Sequence, residues 1–178
     1  QRLSDQPFAA KYPGLLTSGI DSQRNYIYRS IVADCLRVMD YLVSCDDVDS
    51  QKISLVGGDL ALFTAALRDS ASVLFYTPSL FYKALHKATA TQNYPLEEFN
   101  DYLRSFPESI DQISQTLAYF EPMNFASRVK SEVMLMEESE GDANDLAVSF
   151  ARDIERSGSK HSSYQDGVVL AEWLSKKL

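Results

Sequence analysis

The sequence predicts a three-layer α/β fold, with a small, mostly parallel sheet flanked by helices. Three observations carry that expectation. The runs Ile53–Val56, Ser72–Thr77 and Glu132–Met136 are short and almost continuously apolar, as strands buried on both faces are. Helical patterns separate them, and strands that alternate with helices assemble as parallel sheets with right-handed crossovers. The third is the stretch Ile53–Leu67, where an apolar run ends in Gly57-Gly58 and passes at once into a helical pattern. Small residues suit such a turn, because strand and helix backbones come close together there.

At 178 residues and 45% hydrophobic content, the chain suits one domain with a sizeable core. The expected organisation is a single domain over 1–178, with 1–24 as an extended lead-in and 79–121 as a helical insertion. A net charge of −8 and a pI of about 4.7 disfavour a nucleic-acid surface. No apolar run is long enough to span a membrane, and the first residues carry no signal-peptide core. Cys35 and Cys45 lie on or just past one predicted helix, roughly 15 Å apart at the helical rise, too far for a bridge. Free thiols favour a reducing, cytoplasmic compartment. His86 and His161 are far apart in sequence and neither has a second Cys or His nearby, so no metal site is expected. No glycine-rich nucleotide signature is present, so no cofactor is expected either.

In chain order, Pro7, Pro13, Gly14 and Gly19 punctuate a segment with little periodicity. Residues 25–44 form a strong helical pattern. Ile27, Ile31, Cys35, Val38 and Leu42 make one stripe, and Tyr28, Val32, Leu36, Met39 and Val43 a second beside it. So wide an apolar arc predicts a helix buried against a sheet. Asp46–Ser50 is a polar turn, and Asp59–Leu67 a short helix. Residues 79–121 are helical and aromatic-rich in three segments, the second and third opened by Pro95 and Pro107. Glu137–Asp145 is an acidic loop. Leu146–Arg156 is a helix stopped by Ser157-Gly158. His161–Gln165 is a weak strand, and Val168–Leu178 a last helix.

Four stretches carry a resemblance. They are Gly19–Asp21 with Tyr26–Asp34; Asp49–Gly58; Pro78–Phe81 through Ala84-Leu85 to Tyr102–Arg104; and Thr116–Lys130 running into Val133–Met136. In order and spacing they resemble the C-terminal half of the acetyl xylan esterase and cephalosporin C deacetylase family. The resemblance implies an α/β-hydrolase-like fold without the family's N-terminal strands. It also implies an esterase that removes acetyl groups from xylan-derived sugars or cephalosporins with a Ser-His-Asp triad. In that mechanism a serine oxygen attacks the ester carbonyl, a histidine takes its proton, and backbone N–H groups hold the oxyanion.

Carried over position by position, the triad is degenerate. The serine should follow Gly57-Gly58, where a hydrolase forms its nucleophile elbow. Asp59 stands there, the family's further glycines are absent, and the turn and helix are shorter. Asp59 reads either as a helix N-cap or as a carboxylate nucleophile, as in dehalogenase-type hydrolases. The family's acid follows the third strand, and the count lands on Asp142. It is either a retained triad aspartate or one member of a solvated acidic loop with Glu137, Glu138, Glu140 and Asp145. The family's histidine precedes the final helix. A gapless register puts Gly167-Val168 there; a shorter one makes His161 the base. His86 reads as a packing or surface residue.

Three functions remain open. The chain is a catalytically inactive relative of these esterases that works as a structural or interaction domain. Alternatively, it is an active carbohydrate or acetyl ester hydrolase that uses Asp59 or a serine from a partner chain, with Ser54 and Ser79 as weaker internal candidates. A third reading is a carbohydrate-binding module for an acetylated sugar, with Phe75, Tyr76, Phe81 and Tyr82 near the cleft. A sheet of three strands and a weak fourth has an exposed edge, which a second copy or a partner chain is expected to cover.

Overall fold

The computed structural model describes residues 14–138 and 141–178. Elements follow in the order α1 (Ile27–Ser44), β1 (Ser54–Gly57), α2 (Asp59–Leu67), β2 (Val73–Tyr76), α3 (Ala84–Thr89), α4 (Glu97–Ser105), α5 (Ile110–Tyr119), α6 (Met123–Ala126), β3 (Glu132–Glu137), α7 (Asn144–Ser149), β4 (Glu155–Gly158) and α8 (Ser163–Lys177). Two compact units result. One holds the described residues up to Ile31 with Lys83–Phe120; the other holds Val32–Tyr82 with Glu121–Leu178.

The second unit is the α/β body. Its four strands are all parallel, in the spatial order β1-β2-β3-β4. Ser54 pairs with Val73, Val73 with Glu132, and Met134 with Glu155. Successive strand side chains point to opposite faces, and here both faces are covered. Leu74, Tyr76, Val133 and Leu135 pack with Leu62 and Ala65 of α2, Ala126 of α6 and Leu146 of α7. Val73, Phe75, Met134 and Met136 turn the other way, onto Trp173 of α8. The Phe75 and Trp173 rings meet edge-on at 6.1 Å. Each such aliphatic or phenyl side chain contributes roughly 1.5–3 kcal/mol by leaving water. The result is three layers: helices, sheet, helix.

The first unit is helical. Phe99 of α4 and Ile113 of α5 are fully buried. A 3₁₀ turn at Pro107–Ser109 leads into α5. Glu98 Oε1 accepts hydrogen bonds from the Thr17 N–H and hydroxyl, both at 2.7 Å. The buried Tyr26 hydroxyl donates to the Leu16 carbonyl at 2.8 Å, and its ring meets Phe120 edge-on. Burial pushes that hydroxyl far above the usual tyrosine range, so it remains a donor at any working pH.

The structure departs from the sequence reading in four places. The predicted helix over Leu146–Arg156 ends at Ser149, and Glu155–Gly158 forms β4 instead. The backbone turns extended at Phe150, whose ring is buried, and the Ser159 N–H continues the ladder to the Glu137 carbonyl at 2.7 Å. β4 carries charges because it is an edge strand, and charged edges resist mispairing. The predicted strand His161–Gln165 is a loop and the first turn of α8, where the Ser162 hydroxyl caps the Gln165 N–H. In α1 only Val32 and Met39 are buried, while Val38 and Tyr41 are largely exposed, so the predicted arc is only partly covered. Finally, α6 adds a short helical turn that periodicity did not mark. The first half of the lead-in and Glu140 lie outside the described residues.

Two expectations follow. Glu137 at the end of β3 is 2% exposed and bonds Arg156 Nη2 at 2.7 Å. Burial alone opposes its charge, but the Arg156 guanidinium and the Ala143 N–H outweigh burial and hold its carboxyl below the usual glutamate range. Because the folded-state value is depressed, Glu137 stabilises the fold above the unfolded value of about 4.3 and loses that contribution as pH falls through the folded value. Thermal denaturation followed from neutral to acid pH should show this loss, and Glu137→Gln should flatten it. The second concerns the β1–α2 turn. A Cβ on Gly58 would lie 2.4 Å from Ser79 Oγ, which hydrogen-bonds Asp59. Gly58→Ala should therefore cost about 1–3 kcal/mol in urea denaturation. In a Ser79→Ala background the added cost should shrink, since the two changes share one contact.

Candidate functional site

In open α/β sheets, ligands bind beyond the carboxyl ends of the strands. The loops at that end carry Asp59, Asp142 and His161, three of the residues that the triad comparison singled out. Asp59 follows β1, Asp142 follows β3, and His161 follows β4; Ser79 follows β2. Topology thus gathers them at one end of the sheet. Their side chains meet different fates.

Asp59 is 2% exposed. It is the first residue of α2 rather than its N-cap; the N-cap is Gly58, which has no side chain to cap with. The Asp59 carboxylate reaches across to the chain after β2. Its Oδ1 accepts from the Tyr76 hydroxyl at 2.9 Å and the Ser79 N–H at 3.3 Å. Its Oδ2 accepts from the Phe81 N–H at 2.6 Å and the Ser79 hydroxyl at 3.2 Å. Four donors satisfy a carboxylate that water barely reaches. Burial first, then the Asp59 charge and hydrogen bond, push the Tyr76 hydroxyl well above the usual tyrosine range, which keeps it protonated as a donor. The turn itself uses Gly57 at φ +147°, a conformation that side-chain-bearing residues avoid. Asp59 has helical, unstrained backbone and does not stand on a raised elbow.

Asp142 is exposed in the loop after β3, and its carbonyl is near the Tyr82 hydroxyl at 3.4 Å. That hydroxyl also donates to Asp145. Glu137, expected in a solvated loop, is instead a buried ion-pair partner. Its Oε1 accepts from the Ala143 N–H at 2.9 Å, which fixes the start of the loop. Arg156 reaches Glu137 with Nε and Nη2 and the Asn144 side chain with Nη2. Between the ends of β3 and β4 these side chains line an open polar pocket of about 490 Å³, with Ser157 and Gly158 on its far wall.

His161 is exposed, at φ +54°, in the loop between β4 and α8. Val168, which the gapless register puts in the place of the family's histidine, lies inside α8. The loop is held by Asp166. Its carboxylate accepts from the Ser159 hydroxyl and the Lys160 N–H, both at 2.7 Å, and Ser159 Oγ accepts from the His161 N–H at 3.0 Å. Those bonds, the Lys160 N–H foremost, hold the Asp166 carboxyl below its usual range. The pattern Ser162–Gln165, a capping signature, was the sequence signal for this helix start. Nothing local announced the Glu137–Arg156 pair or the Tyr76–Asp59 bond.

The aromatics proposed to stack on a sugar are core residues: Phe75, Tyr76, Phe81 and Tyr82 are each 5% exposed or less. His86 is exposed on α3. Cys35 and Cys45 are unbridged. Among the described residues, no group of His, Cys, Asp and Glu side chains converges as a metal site, and no helix is long and apolar enough to cross a membrane.

Comparison with known proteins agrees with this architecture. The acetyl xylan esterase (AXE1) family profile matches residues 2–152. Acetyl esterase Axe7A of Xylanibacter ruminicola is 33% identical over 129 residues, which is 68% of this chain and 28% of that protein. The acetyl xylan esterase from Paenibacillus sp. R4 superposes with a TM-score of 0.83 at 22% identity, over 99% of this chain and 61% of its own. Acetyl xylan esterase 1 from a Thermoanaerobacterium species superposes with a TM-score of 0.74 at 18% identity, over 98% and 61%. The chain therefore spans about a quarter of the curated relative and about three-fifths of the solved ones. Its parallel sheet, flanking helices and family match together establish that the chain belongs to the acetyl xylan esterase family.

Proposed function

We propose that this chain is an acetyl xylan esterase-like domain without a nucleophile of its own, working as a structural or interaction module. One observation carries the reading. The residue after Gly57-Gly58 is Asp59, and each of its oxygens accepts from one buried donor, the Tyr76 hydroxyl or the Phe81 N–H, with Ser79 adding a bond to each. Nucleophilic attack needs a reacting atom within about 3–3.5 Å of the ester carbon. To reach that distance Asp59 would have to abandon the bonds that hold the loop after β2.

A second reading has its own support. His161 stands in the loop before α8, and Asp142 follows the neighbouring strand. A nucleophile from a partner chain would complete an active hydrolase there. The edge of the sheet offers a place for such a chain. Among the described residues β1 has one strand neighbour, β2, and its Val56 is 48% exposed. Pairing of a second copy or partner strand with β1 would cover that apolar side chain.

The domain should show no p-nitrophenyl acetate turnover above background, and Asp59→Asn should not change that rate. Robust hydrolysis that depends on Asp59 overturns the primary reading. Asp59→Ala should instead lower stability by about 1–3 kcal/mol, because the Tyr76 hydroxyl and Phe81 N–H lose their acceptor; urea denaturation reads this. Fluorophosphonate labelling of any serine, alone or with a partner, would favour the active reading. Light scattering after size exclusion should find an assembly that Val56→Lys weakens; a wild type that is monomeric at every concentration removes the edge proposal.

A further inference from the structure

A helix that covers a core usually turns its charges to water. In α8 the order is reversed. Its four charged residues are Asp166, Glu172, Lys176 and Lys177. The Asp166 carboxylate turns back to the Ser159 hydroxyl and the Lys160 N–H. Lys177 Nζ bonds Glu132 at 2.5 Å and Glu155 at 2.9 Å, both on strands of the sheet. Glu172 and Lys176 line the same pocket as Met134 and Trp173, on the flank of the helix.

The side opposite Trp173 at helical spacing presents Tyr164, Gly167, Val168, Ala171, Ser175 and Leu178, all exposed. None of them is charged. Tyr164 is 79% exposed, Leu178 43% and Val168 39%. Leu178 follows α8 and continues its bonding, donating its N–H to the Leu174 carbonyl at 3.0 Å. Exposed apolar side chains scattered singly are normal; here three share one helix face with no charge between them. A glycine inside a helix costs stability, and a Cβ on Gly167 would meet nothing within 4 Å. Packing within the described residues therefore does not call for a glycine there, whereas its bare backbone lets another helix come close.

The order of side chains along this face selects the occupant. It is symmetric about Ala171: Gly167 and Ser175 lie four residues to either side, and Tyr164 and Leu178 seven. Two such helices, antiparallel about a two-fold axis at Ala171, set small residues against small ones and Tyr164 against the partner's Leu178. An isologous interface needs this self-matching surface, which an unlike partner would not. Antiparallel packing also lays the C-terminal end of one helix dipole beside the N-terminal end of the other. Two chains of net charge −8 repel, and on this face they can meet without bringing like charges into contact.

We propose that the outer face of α8 is a self-association surface, on which a second copy of this chain packs its own α8 antiparallel about Ala171. From Tyr164 to Leu178 the face is about 21 Å long, less than a standard interface, so the dimer should be reversible and dissociate on dilution. The inference rests neither on the reading of Asp59 nor on the β1 edge. Disulfide trapping in a Cys35→Ser, Cys45→Ser chain tests it. Ala171→Cys should cross-link to its own copy under mild oxidation, because the axis brings the two sites together. Gln165→Cys should not, since the two sites lie about 18 Å apart along the helices. In sedimentation equilibrium the unaltered chain should dimerise, and Ala171→Arg should weaken the dimer about tenfold or more with unchanged circular dichroism; Ala171 is exposed, so the fold should tolerate the change. No trapping with Ala171→Cys, equal trapping with Gln165→Cys, or a dimer that Ala171→Arg leaves intact overturns the proposal. So does a chain that stays monomeric at every concentration, which would leave the face to a different partner. Val56→Lys should leave the trapping unchanged; its loss there would assign association to the β1 edge and overturn the proposal as well.

Discussion

A parallel sheet cannot leave a face open to water as a hairpin sheet can, and that constraint organises the α/β body. Each crossover lays a helix on the sheet, so the strands must be apolar on both sides. β2 satisfies this completely: Leu74 and Tyr76 go to one face, Val73 and Phe75 to the other, and all four are buried. β3 does the same from Val133 to Met136. The helices then have no choice of side. α2, α6 and α7 close over one face, and Trp173 of α8 closes over the other. What remains is the loop end of the sheet, where open α/β folds bind their ligands.

In this chain that end is occupied by structural charge. A buried carboxylate is costly unless it is fully hydrogen-bonded or paired. Asp59 meets that demand with neutral donors, and Glu137 meets it with Arg156 and the Ala143 N–H. Both spend their acceptor capacity on holding loops: the segment Ser79–Phe81 in one case, the β3–α7 loop and β4 in the other. Asp59 ties the turn after β1 to the segment after β2 from inside.

The two units place their polar groups differently. The α/β body holds Asp59 and Glu137 buried and His161 outside, in a loop that Asp166 shapes. The helical unit carries a part-exposed polar cluster, in which Asn100 and Arg104 bond Glu97.

The sequence by itself determined the strands β1, β2 and β3, the Gly57-Gly58 junction, helices α1 and α2, the helical character of 79–121 and the family. All of these rest on local pattern: apolar runs, helical spacing, glycine where backbones crowd. β4 escaped because an edge strand reading Glu-Arg-Ser-Gly has no apolar run to betray it. The start of α8 was legible in Ser162 and Gln165 but was outweighed by the apolar residues further on. The use of Asp59 was decided only by tertiary structure. Its partners lie 17 to 22 residues away on another strand and loop, and no spacing rule encodes them. The same holds for Glu137 with Arg156, whose bond forms only because β3 and β4 are neighbours. Local pattern reports which side of an element meets the core; where a polar group finds its partner depends on which elements become neighbours, and folding settles that.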